Sequence, residues 1–329
     1  MTTDDRWIDA LPFDVSSPVR AFADPHPPGA RARAQLAGQA VLALVSGWSE
    51  SDDALATAVD DLVGHLHSVG QTTLHQPGVR NMIDTILAGG FEGPRDEVVA
   101  RMSLAYERAT QAMAEATTLM ARVGADLLVD GDHVLVHDFA DRSTQAVVRG
   151  AADDGKHLTV VATACRSRRT DGIRVARESV AVGHDAIVVT DAGVGWAVSS
   201  MGLRLCLIGA DAILPDGSVL TTPGALTIAL VGQRSSVPVY VVTDLWKTMP
   251  LISPELLALN AEEDPDGVPE ALEWKAAGFG YRNPLVDIVP GDALTGIISE
   301  AGIIPPATVG QTAQEMYGIG ARHDEDVGE

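Results

Sequence analysis

The sequence predicts an α/β protein in two parts, a helical N-terminal domain over residues 1–123 and a parallel-sheet α/β domain over residues 124–329. Two observations carry this. Before Gly124 the apolar residues recur at helical spacing, whereas after it short runs rich in Val and Ile alternate with helical stretches. Those short runs are apolar almost without interruption, as strands covered by helices on both faces must be. At 46% apolar the chain has material for a sizeable core, and at 4% aromatic that core must be built from Ala, Val, Leu and Ile.

In the first part, the Ala/Leu-rich run Ala32–Val45 predicts a helix broken by nothing but Gly38. A second is predicted over Asp52–Val69, with Ser51 or Asp52 as cap and Leu55, Val59, Leu62, Val63 and Leu66 on one side. Val79–Leu87 and a long stretch, Glu97–Val123, continue the pattern, joined by loops at 24–30 and 89–94 where Pro and Gly cluster. In the second part, strands are expected at His133–His137, Leu158–Thr163, Ala186–Thr190, Leu205–Ile208 and Val237–Thr243. Helices are expected at Thr144–Ala152, Ile173–Val182, around Val194–Met201 and at Ala225–Gly232. Residues 246–281 read as a loop-rich acidic surface, and residues 283–316 as one short strand (Leu285–Ile288), a helix capped near Asp292 and a Pro-rich link.

With 23 Lys and Arg against 45 Asp and Glu, the net charge of −22 argues against a general nucleic-acid or anionic-membrane binder, because phosphate binding needs a cationic face. No apolar run reaches the roughly 18–20 residues of a membrane helix. The opening MTTDDRWIDALPFD has neither the basic region nor the apolar stretch of a secretory signal, so a cytoplasmic setting is expected. The two cysteines, Cys165 and Cys206, supply neither a disulfide framework nor a Cys-rich zinc site. No metal and no cofactor are expected, since dinucleotide, Walker and HExxH signatures are absent as well.

In a parallel sheet of this kind, ligands sit beyond the carboxyl ends of the strands. That rule singles out His137, Asp138, Cys165, Arg166, Asp191, Asp211 and Asp244. Arg166, Arg168, Arg169, Arg174 and Arg177 form a basic cluster in an otherwise acidic chain, at a strand end just before a helix. This points either to a small anionic ligand or to pairing with acidic surface or a partner subunit. Asp211, in LIGADAILPDG, is either a general acid/base or a turn cap. Cys165 lies among arginines that would favour its thiolate if it were exposed, or else it fills space. Cys206, mid-strand, belongs to the core.

Taken together, the segments VDGDHVLVHD, VVTDAGVGWAV, LIGADAILPDGSVLTTPGALTIAL, VPVYVVTDLWKTMP and NPLVDIVPGDALTGIISEAGIIPP resemble the translation initiation factor 2B α/β/δ family. That family also contains methylthioribose-1-phosphate and ribose-1,5-bisphosphate isomerases. The resemblance spans roughly Gly124–Met316 and implies a Rossmann-like second domain and a homodimer. For the isomerases it implies a catalytic Cys following a His at a strand end, an Asp partner, and an Arg plus an Asn-Lys pair on phosphate. Here His137 matches the His, Asp211 the Asp, and Arg166 (or Arg168) the Arg. Asp138 stands where the Cys would be and Thr221-Thr222 where the Asn-Lys pair would be. Arg80 in TTLHQPGVRNMI, and Arg31 after Gly29-Ala30, are weaker matches to N-terminal phosphate contacts.

Two functions follow. One is an aldose–ketose-type isomerase of a small phosphorylated or acidic sugar or nucleoside derivative, in which Asp138 and Asp211 divide the proton transfers or Cys165 replaces the missing thiol. The other is a catalytically inactive, ligand-binding regulatory subunit. The change to Asp138 and the Thr221-Thr222 pair are what discriminate between them.

Overall fold

The structure, a computed structural model, describes residues 11–23, 29–68, 77–137, 143–166, 171–249, 269–284 and 286–319. Its contacts divide the chain into residues 1–114 and 115–329. The division falls inside one helix.

The first unit holds α1 (Phe13–Phe22), α2 (Ala30–Gly47), α3 (Asp52–Ser68), α4 (Pro77–Leu87) and the beginning of α5 (Arg95–Asp126). Helix α2 packs against both α1 and α4: its buried residues include the small Ala34, Ala37, Gly38 and Ala40, which let its neighbours come close, and the larger Val41, Leu44 and Val45, which fill the space beyond them. A Cβ on Gly38 would lie 2.8 Å from the Tyr106 ring. The facing residues of α4, Met82, Ile83 and Ile86, are almost fully covered.

The second unit is built on a seven-stranded sheet in the order β10-β9-β7-β4-β1-β2-β3. Its strands are β1 (His133–His137), β2 (Thr159–Thr163), β3 (Asp185–Val189), β4 (Leu205–Gly209), β7 (Val239–Val242), β9 (Gly296–Ser299) and β10 (Gly302–Ile304). All neighbours are parallel except the β9–β10 pair at one edge. The helices between them are α6 (Ser143–Asp153), α7 (Asp171–Ala181), α8 (Val194–Ser200) and α9 (Ala225–Ser235). Four consecutive residues at the ends of β1 and β2, and all of β4, are buried, which is the near-continuous apolar pattern the sequence displays. Val134, Val136, Val160, Ala162, Leu205 and Leu207 join Leu128, Val147 and Leu158 in one core cluster. Strand order runs outward in both directions from β1 and β4, so the crevice between their carboxyl ends is the switch point where such sheets receive ligands.

A small antiparallel sheet, β5 (Ala212–Ile213), β6 (Val219–Thr221) and β8 (Asp287–Val289), stands beyond the end of β4. The chain leaves β4, makes the turn in which Ser218 N–H donates to Asp216 Oδ1 at 2.9 Å, and returns through β6.

Three expectations for the C-terminal part are corrected. Residues 269–276 form a helix, α10 (Pro269–Ala276), inside the stretch read as loop. The helix expected near Asp292 is a single 3₁₀ turn, Gly291–Ala293, followed by β9, whose Gly296–Ile298 pair with Tyr240–Val242 of β7. Beyond β10 the expected link carries a further helix, α11 (Val309–Tyr317). The apolar spacing of Leu294, Ile297 and Ile298 mimics a helix, but the β-branched pair beside a glycine suits a buried strand, and pairing with β7 decides the outcome.

Candidate functional site

The ends of β1 and β2 bring three polar side chains together. His137, the last residue of β1, and Thr163, the last of β2, are buried side by side, and Cys165 follows two residues on, equally buried. His137 Nδ1 lies 2.6 Å from Thr163 Oγ1 and 3.5 Å from Cys165 Sγ, and Thr163 Oγ1 lies 3.2 Å from the same sulfur. On its other side the imidazole places Nε2 3.3 Å from the Thr222 carbonyl oxygen. A carbonyl only accepts, so Nε2 carries the proton and Nδ1 is the acceptor facing Thr163 and Cys165.

Cys165 is held in the left-handed region, φ 49°, one of two non-glycine residues with positive φ among the described residues. For an L-residue this is strained by about 1–2 kcal/mol. The strain is countered by Asp191, in the turn after β3. Its carboxylate accepts the backbone N–H of Cys165 on Oδ1 and that of Arg166 on Oδ2, each at 2.9 Å. The chain then returns over the end of β2 so closely that a Cβ on Gly172 would lie 1.6 Å from the Thr163 carbonyl oxygen, so only glycine fits there.

The other side of the crevice is made by the end of β4 and the segment after β6. Asp211 is half-buried and its N–H donates to the Leu220 carbonyl at 2.8 Å. Thr221 Oγ1 donates to the Gly209 carbonyl at 2.7 Å. Lys247, buried after β7, donates from Nζ to the Ala210 carbonyl at 3.0 Å, which fixes the peptide next to Asp211. The hydroxyls of Thr222 and Thr243 are buried without a hydrogen-bond partner among the described residues. A buried hydroxyl left unpaired costs free energy, so these two are polar groups available to a ligand. Gly224, at φ 112°, leaves room for the His137 ring, which a Cβ would meet at 3.0 Å. The first N–H groups of α9 are taken by Asp287, whose Oδ2 accepts from Gly224 N at 2.7 Å and Leu226 N at 3.1 Å.

Behind β7 a second polar cluster supports this rim. Glu300 accepts the Leu245 N–H on both carboxylate oxygens, at 3.1 and 3.2 Å, and the Tyr317 hydroxyl at 2.9 Å. Burial, and then the charge of Asp244, push the Glu300 carboxyl up from 4.5 to about 7, against the hydrogen bonds that favour its charged form. Burial and the same two carboxylates push the Tyr317 hydroxyl upward as well. Leu245–Lys247 is the 3₁₀ turn that carries Lys247, so Glu300 and Lys247 together hold the β7 end against the Asp211 peptide.

Of the residues singled out from the sequence, the structure gathers His137, Cys165, Asp211, Thr221 and Thr222 around the β1–β4 crevice through these bonds. Arg166 is exposed, next to Cys165, and Arg174 and Arg177 are exposed on α7. Asp138 and Arg168 lie outside the described residues. Arg31, in the first turn of α2, and Arg80, paired with Asp84 at 3.6 Å on α4, belong to the first unit. Cys206 is core, its thiol pushed up to about 12 by burial. No group of three or more His, Cys, Asp or Glu among the described residues is arranged to hold a metal ion. Among those residues, too, no helix is long and apolar enough to cross a membrane.

Sequence reasoning missed Thr163, Lys247 and Glu300. Thr163 carried a usable signal, a hydroxyl closing an apolar run one strand over from His137. Lys247 and Glu300 carried none, because nothing local marks a lysine or glutamate as buried.

Three likenesses to known proteins stand beside this fold. The ribose 1,5-bisphosphate isomerase of Methanocaldococcus jannaschii is 28% identical over 240 residues, 72% of this chain and 75% of the relative. The methylthioribose-1-phosphate isomerase of Albidiferax ferrireducens is 28% identical over 287 residues, 82% and 76% of the two chains. The solved structure of translation initiation factor eIF-2B from Pyrococcus horikoshii superposes with a TM-score of 0.71 at 26% identity, covering 90% of this chain and 98% of that one. The family model of the initiation factor 2 subunits matches residues 30–306, and with that span and this fold the chain belongs to the initiation factor 2 subunit family.

Proposed function

We propose that the protein is an aldose–ketose-type isomerase of a small phosphorylated or acidic sugar or nucleoside derivative, acting as a cytoplasmic homodimer. The observation that carries this reading is the buried thiol–imidazole pair of Cys165 and His137 at the strand ends, with Asp211 following the neighbouring strand β4. Moving a hydrogen between adjacent carbons of a sugar needs one group to take the carbon-bound proton and another to exchange protons at oxygen. Asp211 serves the oxygen, and Asp138 or Cys165 serves the carbon. The Thr222 hydroxyl orients the substrate hydroxyls, beside Thr221. Arg166 and Arg168 draw in the anionic end. Two similar proteins named as sugar-phosphate isomerases support the reaction class.

A regulatory, ligand-binding role without turnover is the second reading. Asp138, and the neutral Thr221-Thr222 pair in place of a cationic one, favour it. One experiment decides between the two. The protein is incubated with ribose 1,5-bisphosphate and with methylthioribose 1-phosphate and followed by phosphorus and proton NMR, with Asp211→Asn alongside. The isomerase reading expects conversion of at least one sugar phosphate by the wild type, and its loss in a variant whose circular dichroism is unchanged. Thermal stabilisation by a sugar phosphate without conversion establishes the regulatory reading instead. At about 100 times its Kd a bound ligand adds roughly 2.7 kcal/mol.

A further inference from the structure

We infer that Thr163 and His137 form a proton relay that makes Cys165 the reactive thiolate of this crevice and the group that takes the carbon-bound proton. This rests on the isomerase reading only for its last clause. The geometry carries the rest. With Nε2 protonated toward the Thr222 carbonyl, His137 Nδ1 accepts the Thr163 hydroxyl proton at 2.6 Å, and Thr163 Oγ1 accepts the Cys165 thiol proton at 3.2 Å. Passing both protons one step along the chain leaves a thiolate on Cys165, a neutral Thr163 hydroxyl and an imidazolium at His137 whose Nε2–H still faces the Thr222 carbonyl. The direct Sγ–Nδ1 distance of 3.5 Å places the opposite charges together.

Three features of the backbone serve this arrangement and have no evident packing purpose. Cys165 is held in a strained left-handed conformation that turns its side chain back toward His137. Asp191 holds that strain with a two-oxygen clamp on the consecutive N–H groups of Cys165 and Arg166. Gly224, at positive φ, leaves the imidazole the space it needs. The unpaired, buried hydroxyl of Thr222, whose own carbonyl faces His137 Nε2, is an independent sign that a polar ligand completes the site. In turnover on a sugar 1-phosphate, the Cys165 thiolate takes the proton from C2 while Asp211 gives a proton to the ring oxygen as its bond to C1 breaks, forming a C1–C2 enol that keeps the C1 phosphate. The thiol then returns its proton to C1, and the C2 hydroxyl returns one to Asp211 as it becomes the ketone.

The test uses the full chain and iodoacetamide, chosen small because Cys165 is buried. Its thiolate displaces iodide, forming an S–C bond as the C–I bond breaks, and mass spectrometry locates the adduct. Cys206, raised to about 12 and sealed in the core, is the internal control. At pH 7 Cys165 is expected to be alkylated about tenfold or more faster in the wild type than in Thr163→Val, since an ordinary thiol is only a few per cent thiolate there. Thr163→Ser, which keeps the hydroxyl, should restore the fast rate, and His137→Asn should lose it. Equal rates in wild type and Thr163→Val, or no adduct on Cys165 in the native protein, overturn the relay. Cys165→Ala with Cys165→Ser then reads the chemistry. Loss of turnover with retained sugar-phosphate binding supports the base role, and turnover that survives both variants overturns it. A fast-alkylating Cys165 in a protein that converts no sugar phosphate overturns the isomerase reading while the relay stands.

Discussion

Glu300→Gln isolates one buried proton from an acidic background of 45 carboxylates. In the folded protein the Glu300 carboxyl is raised from 4.5 to about 7 by burial and by Asp244. The native state therefore holds this proton where the unfolded chain has released it. A raised pKa contributes stability that is fully present below the unfolded value and is lost as pH rises through the folded one. The loss here runs from about pH 4.5 to about pH 7 and is complete by pH 8. A gap of 2.5 between the two values corresponds to about 3 kcal/mol. Glu300 is only 9% exposed, so little of this is screened by solvent. Glutamine keeps an acceptor for Leu245 N–H and Tyr317 O–H and carries no titrating proton. Urea unfolding monitored by circular dichroism at pH 5 and pH 8 gives the wild-type loss of stability over that interval. In Glu300→Gln that loss should shrink by about 2.5 kcal/mol, the rest of the total falling below pH 5, so that the variant gains on the wild type as pH rises. The same loss in both proteins would show that Glu300 does not carry this proton, and the reasoning from burial would fail.

Asp287→Ala removes the acceptor for Gly224 and Leu226 N–H at the start of α9 and should lower stability by about 1 kcal/mol, read as a shift in the urea midpoint. Gly172→Ala forces a methyl against the Thr163 carbonyl oxygen, and the chain is expected either to lose several degrees of melting temperature or to accumulate as insoluble protein; an unchanged melting curve would contradict the close approach.

Most of the second unit was legible because its strands are buried on both faces. HVLVH, LTVVAT and LCLI have few readings other than parallel strands once helices separate them. Residues 294–299 misled because the local spacing of their apolar residues fits a helix, and only the partner strand β7, 56 residues earlier in the sequence, makes them extended. The site was half legible for a related reason. His137 and Asp211 lie at strand ends, where the sheet rule looks. Asp191 was found by the same rule, but its task, restraining the turn at Cys165, depends on a backbone angle that no residue type announces. Lys247 and Glu300 act from burial, a property of the assembled chain rather than of their neighbours in sequence.

The imidazole of His137 is steadied on one flank by a main-chain carbonyl, that of Thr222, rather than by a side chain. Main-chain atoms are common to every amino acid. Position 222 can therefore exchange its side chain from one lineage to the next, altering what enters the crevice, while the histidine keeps its tautomer and its aim. A scaffold wired this way can change its guests without dismantling its proton-handling parts.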